Sequence, residues 1–360
     1  MSDVNDSVKT DPSVSSSGAA RRPTQADVAR LAGVSTATVS HVLSGRADRK
    51  GGGSTQTREK VERAMKQLDY RPNWAGRALR RQRTGLVGAV VSPGSNPWRD
   101  SLISLARHGL AQRSLDLVVF PDVEAGEGLD RLTDLLRRGA VDACFTVHVE
   151  DPEVGERLAQ CPLPIVAFVE EEYAGLPTVR HLYAEASREA ARQLRDRGVR
   201  RFVIATEALG AVGSSQRDVI GPIRSVLGES GLDAEHVQIG YGISADLSAV
   251  DWAALEAADA DEPIVILCSS DRLAIQIAAE CERRRIDVGR SVGIVGRGDI
   301  AETAQRRMPL STLGTSDARY EEVFDVLATA AESGGIIDQS WEFPWRVIER
   351  ESTASILPRA

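Results

Sequence analysis

Features that would define a membrane protein or a secreted protein are missing from this sequence. No run of about 18 apolar residues occurs, so no membrane span is predicted. The first 22 residues contain no apolar stretch of the kind found in secretory signals. We interpret residues 1–22 as a disordered arm and expect a cytoplasmic protein.

The motifs of common enzymes are also missing. No glycine-rich GxGxxG follows the first predicted strand, and neither a Walker loop nor a GxSxG motif occurs. The histidines are scattered, at His41, His108, His148, His181 and His236. We therefore predict neither an enzyme nor a bound cofactor or metal.

Cysteine is scarce, and its spacing excludes a CxxC metal pair. The four cysteines are Cys144, Cys161, Cys268 and Cys281. Most of them lie in or near apolar segments, which predicts buried free thiols in a reducing compartment.

The charge is distributed very unevenly. The 360 residues carry a net charge of −8, but residues 21–83 contain 15 Lys and Arg against 5 Asp and Glu. That segment has a local charge of +10, and the remainder of the chain carries −18. A basic module on an acidic body predicts that the module binds a polyanion.

The basic segment contains a helix-turn-helix pattern. Thr24 and Asp27 form a capping-box arrangement before a helix whose apolar face is predicted to hold Val28, Leu31 and Ala32. Gly33 supplies a positive φ at the end of that helix, and Ser35 is an N-cap for the next one. An ordinary buried helical hairpin is the alternative interpretation of this stretch.

The second helix has two different faces. Val39, Val42 and Leu43 are predicted to point inward. The outward positions hold small or polar residues: Thr36, Ala37, Thr38, Ser40 and His41. Small outward residues allow a helix to approach the major groove closely, and a histidine can hydrogen-bond a base edge or a phosphate.

A third helix and a hinge follow. Val61, Ala64, Met65 and Leu68 recur at helical spacing, after a cap at Ser54 or Thr57. Pro72 prevents that helix from continuing, and Asn73 caps a short helix over 74–81.

These segments resemble the LacI/GalR (lactose-repressor) family of transcriptional regulators over residues 24–80. The resemblance rests on Asp27-Val28-Ala29, Ala32-Gly33-Val34-Ser35, Thr38-Val39-Ser40, Thr57-Arg58-Glu59-Lys60-Val61, Leu68-Asp69-Tyr70-Arg71-Pro72-Asn73 and Arg77-Ala78-Leu79. Residues 35–41 are most similar to the purine-repressor branch.

The resemblance implies specific contacts with DNA. Thr36, Ala37 and His41 occupy base-reading positions, and Leu79 occupies the position of the leucine that enters the minor groove. The complete set of DNA-binding residues that we predict is Thr24, Ser35, Thr36, Ala37, Thr38, Ser40, His41, Ser44, Arg46, Tyr70, Asn73, Arg77 and Leu79.

Two departures from the family pattern affect the module. The loop 45–54 is about four residues longer than usual; it either adds phosphate contacts or is a flexible solvated insert. Gly76 stands where the family usually has alanine, and glycine disfavours helix by roughly 1 kcal/mol. We therefore expect the hinge helix to fold less readily away from DNA.

From Gly85 onward, apolar strands alternate with amphipathic helices, which predicts parallel sheets covered on both faces. We expect an N-terminal all-α helix-turn-helix module followed by an α/β core of two parallel-sheet lobes, similar to periplasmic binding proteins and with three crossovers. The predicted domains are an arm at 1–22, a helix-turn-helix domain at 23–71, a hinge helix and linker at 72–83, and an effector-binding and dimerisation core at 84–360. Within the core, we assign about 84–180 and 310–334 to the N-lobe, and about 181–309 and 335–360 to the C-lobe.

The resemblance implies an effector in the cleft between the lobes. The candidate ligand-binding residues are Trp98, Arg217, Asp218, Ser270 and Arg297. Several polar residues by which the family holds a sugar are replaced here, which argues against a simple sugar. Either another small ligand acts through the cleft, or the cleft has lost its effector and control comes through a partner protein or protein abundance.

The sequence as a whole predicts a homodimeric, sequence-specific DNA-binding regulator, more often a repressor, which acts at a pseudo-palindromic operator in the nucleoid. A solute-binding or sensory protein with a structural N-terminal module is the alternative. That alternative requires export or another output domain, and we identify neither in the sequence. An α/β enzyme requires an activated nucleophile or a phosphate loop, and we identify neither of these.

Overall fold

A computed structural model describes most of the chain. The described residues are 23–43, 55–71, 76, 78, 81–91, 97–121, 126–147, 151–169, 175–208, 214–240, 246–315 and 319–356. The predicted arm at 1–22 and the loop 45–54 lie outside them. The chain divides into two compact units, Met1–Arg81 and Gln82–Ala360.

The first unit is built from three helices. They are α1 (Gln25–Ala32), α2 (Thr36–Leu43) and α3 (Thr55–Gln67). A small apolar core joins them, with Val28, Val39 and Val61 fully buried at its centre. The alternation of apolar and polar residues at helical spacing thus produces a closed three-helix unit.

Two features of this unit differ from the sequence prediction. Leu31, predicted to face inward, is 45% exposed, and Ala29 is buried instead. The inward face of α1 is therefore formed by Val28 and Ala29, which pack into the core of the three helices. Thr57 lies inside α3 and does not cap it, whereas the other candidate cap, Ser54, is outside the described residues.

The second unit contains two six-stranded sheets with helices on both faces. The elements of the first lobe are β1 (Leu86–Val91), α4 (Pro97–Gln112), β2 (Asp116–Phe120), α5 (Glu127–Arg137), β3 (Ala143–Val147), α6 (Pro152–Ala159), β4 (Ile165–Val169), β5 (Thr178–Leu182), α12 (Tyr320–Ser333) and β11 (Trp341–Pro344). The elements of the second lobe are α7 (Tyr183–Asp196), β6 (Arg201–Ala208), α8 (Ser214–Gly228), β7 (Ala234–Gly240), a 3₁₀ turn (Leu247–Ala249), α9 (Trp252–Glu256), β8 (Ile264–Cys268), α10 (Asp271–Arg284), β9 (Val292–Arg297), α11 (Ala301–Gln305), β10 (Ser311–Gly314), β12 (Arg346–Ile348) and α13 (Glu351–Ala354).

The strand order confirms the predicted α/β core with parallel sheets. The first sheet runs β11-β5-β4-β3-β1-β2 and all of its pairs are parallel. The second runs β12-β10-β9-β8-β6-β7, and only its edge strand β12 is antiparallel to its neighbour. Strand β1 shows why both faces are apolar, because Val87 and Ala89 enter one core and Val90 enters the opposite one.

The three crossovers are present, but the pairing corrects the predicted lobe boundaries. The first crossing follows β5, at 182–183, close to the predicted boundary at about 180, whereas two other boundaries change. Strand β10 lies in the second sheet, because Ser311 pairs with Val295, although 310–334 was assigned to the first lobe. Strand β11 lies in the first sheet, because Trp341 pairs with Val179, although 335–360 was assigned to the second lobe.

Further sequence predictions concern the cysteines, membrane-spanning helices and metal sites. All four cysteines are free and buried, as predicted, and burial raises the pKa of the Cys144 thiol to about 12. Among the residues described here, no helix combines the length and apolarity needed to cross a bilayer. Within the same residues, no cluster of three or more His, Cys, Asp or Glu could hold a metal ion.

Candidate nucleic-acid interface and interlobe cleft

The first helix of the small unit begins with a reciprocal capping box. The Asp27 amide donates to Thr24 Oγ1 at 3.3 Å, and the Thr24 amide donates to Asp27 Oδ2 at 2.8 Å. The Thr24 hydroxyl, which donates to Asp27 Oδ2 at 2.6 Å, and then the Thr24 amide lower the pKa of the Asp27 carboxyl. The capping box predicted from sequence is confirmed, and Thr24 is fixed at the start of α1.

A tight turn sets the angle between α1 and α2. Gly33 has a φ of 65°, and its amide donates to the carbonyls of Ala29 and Arg30. Such a left-handed C-cap favours glycine because no Cβ opposes it. Ser35 then caps α2, since the Thr38 amide donates to its Oγ at 3.0 Å. The turn and both caps therefore agree with the sequence prediction.

Helix α2 presents a small, polar surface to solvent. Thr36, Ala37 and His41 are exposed, and Thr38 and Ser40 are half-buried. The buried Val39 on the opposite side fixes the rotation of the helix about its axis. The predicted base-reading residues thus share one accessible face of a helix that is anchored by its core.

The other predicted DNA contacts lie on either side of this face in the sequence. Tyr70 is half-buried and packs against the three-helix core, and its amide donates to the Met65 carbonyl at 2.9 Å. Gly76, Ala78 and Arg81 have a helical backbone. Ser44, Arg46, Asn73, Arg77 and Leu79 are outside the described residues.

The helical backbone at Arg81 ends at the next residue, within the hinge segment 72–83. Gln82 has a φ of 53°, in the left-handed region that stops a helix. Arg83 then lies at the end of α12, where its Nη1 donates to the Ala331 carbonyl. This contact belongs entirely to the second unit.

Aromatic side chains cluster in the second unit, in the region where its two lobes meet. Trp98, at the start of α4, makes an edge contact with His181 at a centroid distance of 4.8 Å and with Tyr320 at 6.1 Å. His181 Nε2 and the Tyr320 hydroxyl are 3.0 Å apart. Trp345 lies 5.7 Å from His181 and 6.0 Å from Tyr183.

Two of the predicted ligand residues are engaged within the second lobe. The Ser270 hydroxyl donates to Glu207 Oε2 at 2.7 Å and caps α10 by accepting from the Leu273 amide at 3.1 Å. Arg297 Nε donates to the Ser269 carbonyl at 2.8 Å, and its guanidinium lies 4.8 Å above the Tyr183 ring.

Sequence reasoning missed a buried ion pair beside Ser270. Arg272 donates to Glu207 Oε1 through Nε at 3.2 Å and Nη2 at 2.9 Å. Both carboxylate oxygens of Glu207 are thus occupied by protein donors. Arg272 lies two residues after the predicted ligand residue Ser270, whereas Glu207 carried no sequence signal.

A second buried carboxylate holds the end of β9 to β10. Asp271 accepts from Thr312 Oγ1 at 2.6 Å and from the Ile300 amide at 2.9 Å. Burial nevertheless raises its pKa to about 6. A Cβ on Gly296 would lie 2.1 Å from Asp271 Oδ1, so this glycine is required for the close approach.

Of the other predicted ligand residues, Trp98 lies in the aromatic cluster, and Arg217 and Asp218 lie on helix α8. Trp98 also reaches across to the second lobe, because a Cβ on Gly298 would lie 3.6 Å from the Cβ of Trp98. The structure therefore brings Trp98, Ser270 and Arg297 to the region where the two lobes meet.

Taken together, a helix-turn-helix unit followed by a two-lobed α/β core defines a DNA-binding regulator with a binding-protein-like body. Two family profiles match the chain. Residues 24–73 match "Bacterial regulatory proteins, lacI family", and residues 191–353 match "Periplasmic binding protein-like domain".

Curated relatives and solved structures agree with these matches. The ribose operon repressor of Escherichia coli K12 is 26% identical, over 84% of this chain and 92% of that protein. Catabolite control protein A of Priestia megaterium is also 26% identical, over 91% of this chain and 98% of that protein. Both are named as regulators rather than as enzymes.

Among solved structures, a LacI-family regulator from Silicibacter pomeroyi superposes with a TM-score of 0.75 at 21% identity, covering 94% of this chain and all of that one. A lac repressor dimer bound to operator and an anti-inducer gives a TM-score of 0.70 at 19% identity, covering 92% and 99%. The chain therefore combines a LacI-family DNA-binding domain with a periplasmic-binding-protein-like domain, and it is a DNA-binding transcriptional regulator.

Proposed function

We propose that this protein is a homodimeric repressor that binds a pseudo-palindromic operator in the bacterial nucleoid and has no enzymatic activity. The observation that carries the proposal is the accessible face of α2, where Thr36, Ala37 and His41 are exposed on a helix whose other side is locked by the buried Val39. Small side chains on such a face allow the helix to enter the major groove.

The charge distribution supports the same proposal. The local charge of +10 over residues 21–83 gives the small unit an attraction for phosphates that the acidic remainder lacks. Positive charge supplies affinity without sequence preference, whereas the face of α2 supplies the preference. In this proposal, Arg46, Arg77 and Leu79 contribute contacts to phosphates and the minor groove.

A dimer follows from the way such units read DNA. One α2 covers only a few base pairs, so two copies on a two-fold axis are needed to read a complete site. The solved lac repressor is a dimer on its operator, which supports the same arrangement here. The domain division at about residue 72 and the hinge over 72–83 belong to this proposal.

The interlobe cleft is the proposed effector site. Trp98, Ser270 and Arg297 are the candidate ligand-binding residues that lie where the two lobes meet. The internal pairing of Glu207 with Ser270 and Arg272 favours an effector other than a simple sugar, because these polar groups are already satisfied. A thermal-shift screen with sugars, nucleobases and small organic acids tests this part. Stabilisation by none of these classes would favour control without a cleft ligand.

DNA binding itself is tested by selecting preferred duplexes from a random pool with the full chain. We expect an enriched palindromic site, whose affinity falls steeply with salt concentration because bound phosphates release counterions. Absence of any enriched sequence would overturn the proposal.

A pair of variants matched in charge locates the binding face. Ala37→Glu places a carboxylate on the exposed face of α2 and should weaken binding at least a hundredfold. Gln160→Glu makes the same charge change at an exposed position on the core and should leave the affinity within twofold. Equal effects of the two variants would contradict the assignment of α2.

A further inference from the structure

Helix α12 has distinctive contacts at both ends. Its first residue, Tyr320, belongs to the aromatic cluster of the cleft, and its last turn receives Arg83. We propose that α12 transmits the state of the cleft to the hinge segment, and that Arg83 is the positioning residue that couples them. This inference rests on the proposed function.

At the cleft end, Tyr320 is held from several sides. Its hydroxyl is 3.0 Å from His181 Nε2, and its ring contacts Phe343 at a centroid distance of 5.1 Å and Trp98 at 6.1 Å. Burial raises the pKa of this hydroxyl, so it stays neutral and available for hydrogen bonding. Trp98 also contacts Gly298 of the second lobe, so a change in the angle between the lobes would move Trp98 and, through it, Tyr320.

The chain connection strengthens this dependence. Strand β10 is part of the second sheet, and the chain passes from its end at Gly314 to the start of α12. The body of α12 is nevertheless buried in the first lobe through Val323, Phe324 and Leu327. Helix α12 is therefore attached to one lobe by its backbone and packed into the other by its side chains.

Helix α4 is tied to α12 at the far end. Arg113 pairs with Glu332 at 2.7 Å and donates to Thr329 Oγ1 at 3.0 Å. Both helices begin at the cleft, with Trp98 and Tyr320, and both end at this ion pair. The two helices are consequently joined at both ends, and we expect them to move as one rigid pair that extends from the cleft to the opposite end of the first lobe.

At the hinge end, Arg83 covers the last turn of α12. Its Nη1 donates to the Ala331 carbonyl, and a Cβ on Gly334 would lie 3.0 Å from its Nη2. A guanidinium is favourable there because the last carbonyls of a helix lack intrahelical partners and carry the negative end of the dipole.

The next two residues are fixed to a different element. The amides of Thr84 and Gly85 donate to the two carboxylate oxygens of Asp142, at 2.8 Å and 2.6 Å. Asp142 immediately precedes β3, so it moves with the first sheet. A shift of α12 against that sheet therefore displaces Arg83, the last residue of the hinge segment 72–83, while residues 84 and 85 stay fixed.

A double-mutant cycle tests the coupling. Tyr320→Phe removes the hydroxyl contact and keeps the ring, and Arg83→Gln removes the cation from α12. The ligand is the duplex that the wild-type chain selects from random DNA. We expect Tyr320→Phe to change the Kd at least threefold in the wild-type background and less than twofold in the Arg83→Gln background.

Hydrogen exchange of residues 72–85 in the DNA-free protein provides a second readout. Tyr320→Phe should change the exchange rates when Arg83 is present and leave them unchanged in Arg83→Gln. Arg138→Gln, which removes only an exposed ion pair with Asp134 on α5, is the control and should alter neither readout.

Independent effects of the two substitutions, or no effect of Tyr320→Phe on either readout, would overturn the coupling. If no DNA site is selected, the proposed function fails, and the exchange measurement still decides whether α12 couples the cleft to the hinge. Circular dichroism melting of each variant verifies that it is folded.

Discussion

Gly76 gives the most direct test of how the hinge contributes to DNA binding. The residue has a helical backbone, and a Cβ added to it would meet no atom within 4 Å. Gly76→Ala therefore introduces no clash. Alanine favours an α-helix over glycine by about 1 kcal/mol, because it loses less backbone entropy.

The magnitude follows from the stoichiometry of the proposed dimer. Two hinge helices that fold only on the operator would together contribute about 2 kcal/mol, which corresponds to about thirtyfold tighter binding. Fluorescence anisotropy with the selected duplex measures this change. Non-specific DNA should gain much less if the hinge folds only in the specific complex.

Gly128→Ala is the matched control for Gly76→Ala. Gly128 is an exposed glycine near the start of α5, and its Cβ would also enter open space. This substitution should leave the Kd for the selected duplex within twofold. An unchanged or weaker affinity in Gly76→Ala would refute the view that folding of the hinge limits binding.

Three further outcomes are expected. His41→Ala should relax base preference more than it weakens non-specific binding; equal loss on all duplexes would make His41 a phosphate contact. Val39→Ala should destabilise the small unit by about 2 kcal/mol, because apolar burial is lost and a cavity is left. Leu31→Ala should destabilise it much less, because Leu31 is 45% exposed. Hydrogen exchange of α2 measures both changes in stability. Because the folded-state pKa of Asp271 is raised from 3.8 to about 6, its contribution to stability is complete below about pH 4 and is lost as the pH rises through 6. The free energy of unfolding of the wild type, relative to that of Asp271→Asn, should therefore be larger at pH 4 than at pH 7 by up to about 3 kcal/mol, as urea unfolding of both proteins would measure. The same pH dependence in both proteins would contradict the assigned pKa.

Local signals in the sequence predicted the parts of the fold that depend on neighbouring residues. The caps at Thr24 and Ser35 and the turn at Gly33 need only residues within one or two helical turns. Strands β1 and β3 are short apolar runs of the kind from which the alternating strands after Gly85 were predicted.

The parts that depend on distant partners were harder to predict. Strands β10 and β11 are short, and nothing in their own residues indicates which sheet they join. The pair of Glu207 with Arg272 joins residues 65 positions apart, so it appears only when the end of β6 meets α10. Helix α6, by contrast, has a local signal in the sequence, since Asp151 caps it and Pro152 occupies its first position.

The exchange of strands between the lobes has a consequence for biosynthesis. The first sheet is incomplete until Trp341–Pro344 has been made, and the second until Arg346–Ile348 follows two residues later. At 5–20 residues per second, roughly 14–55 s separate the emergence of the helix-turn-helix unit from the completion of both sheets. The DNA-reading unit can therefore be formed on the ribosome well before the body that is to control it, and the two lobes reach their final strand content almost simultaneously.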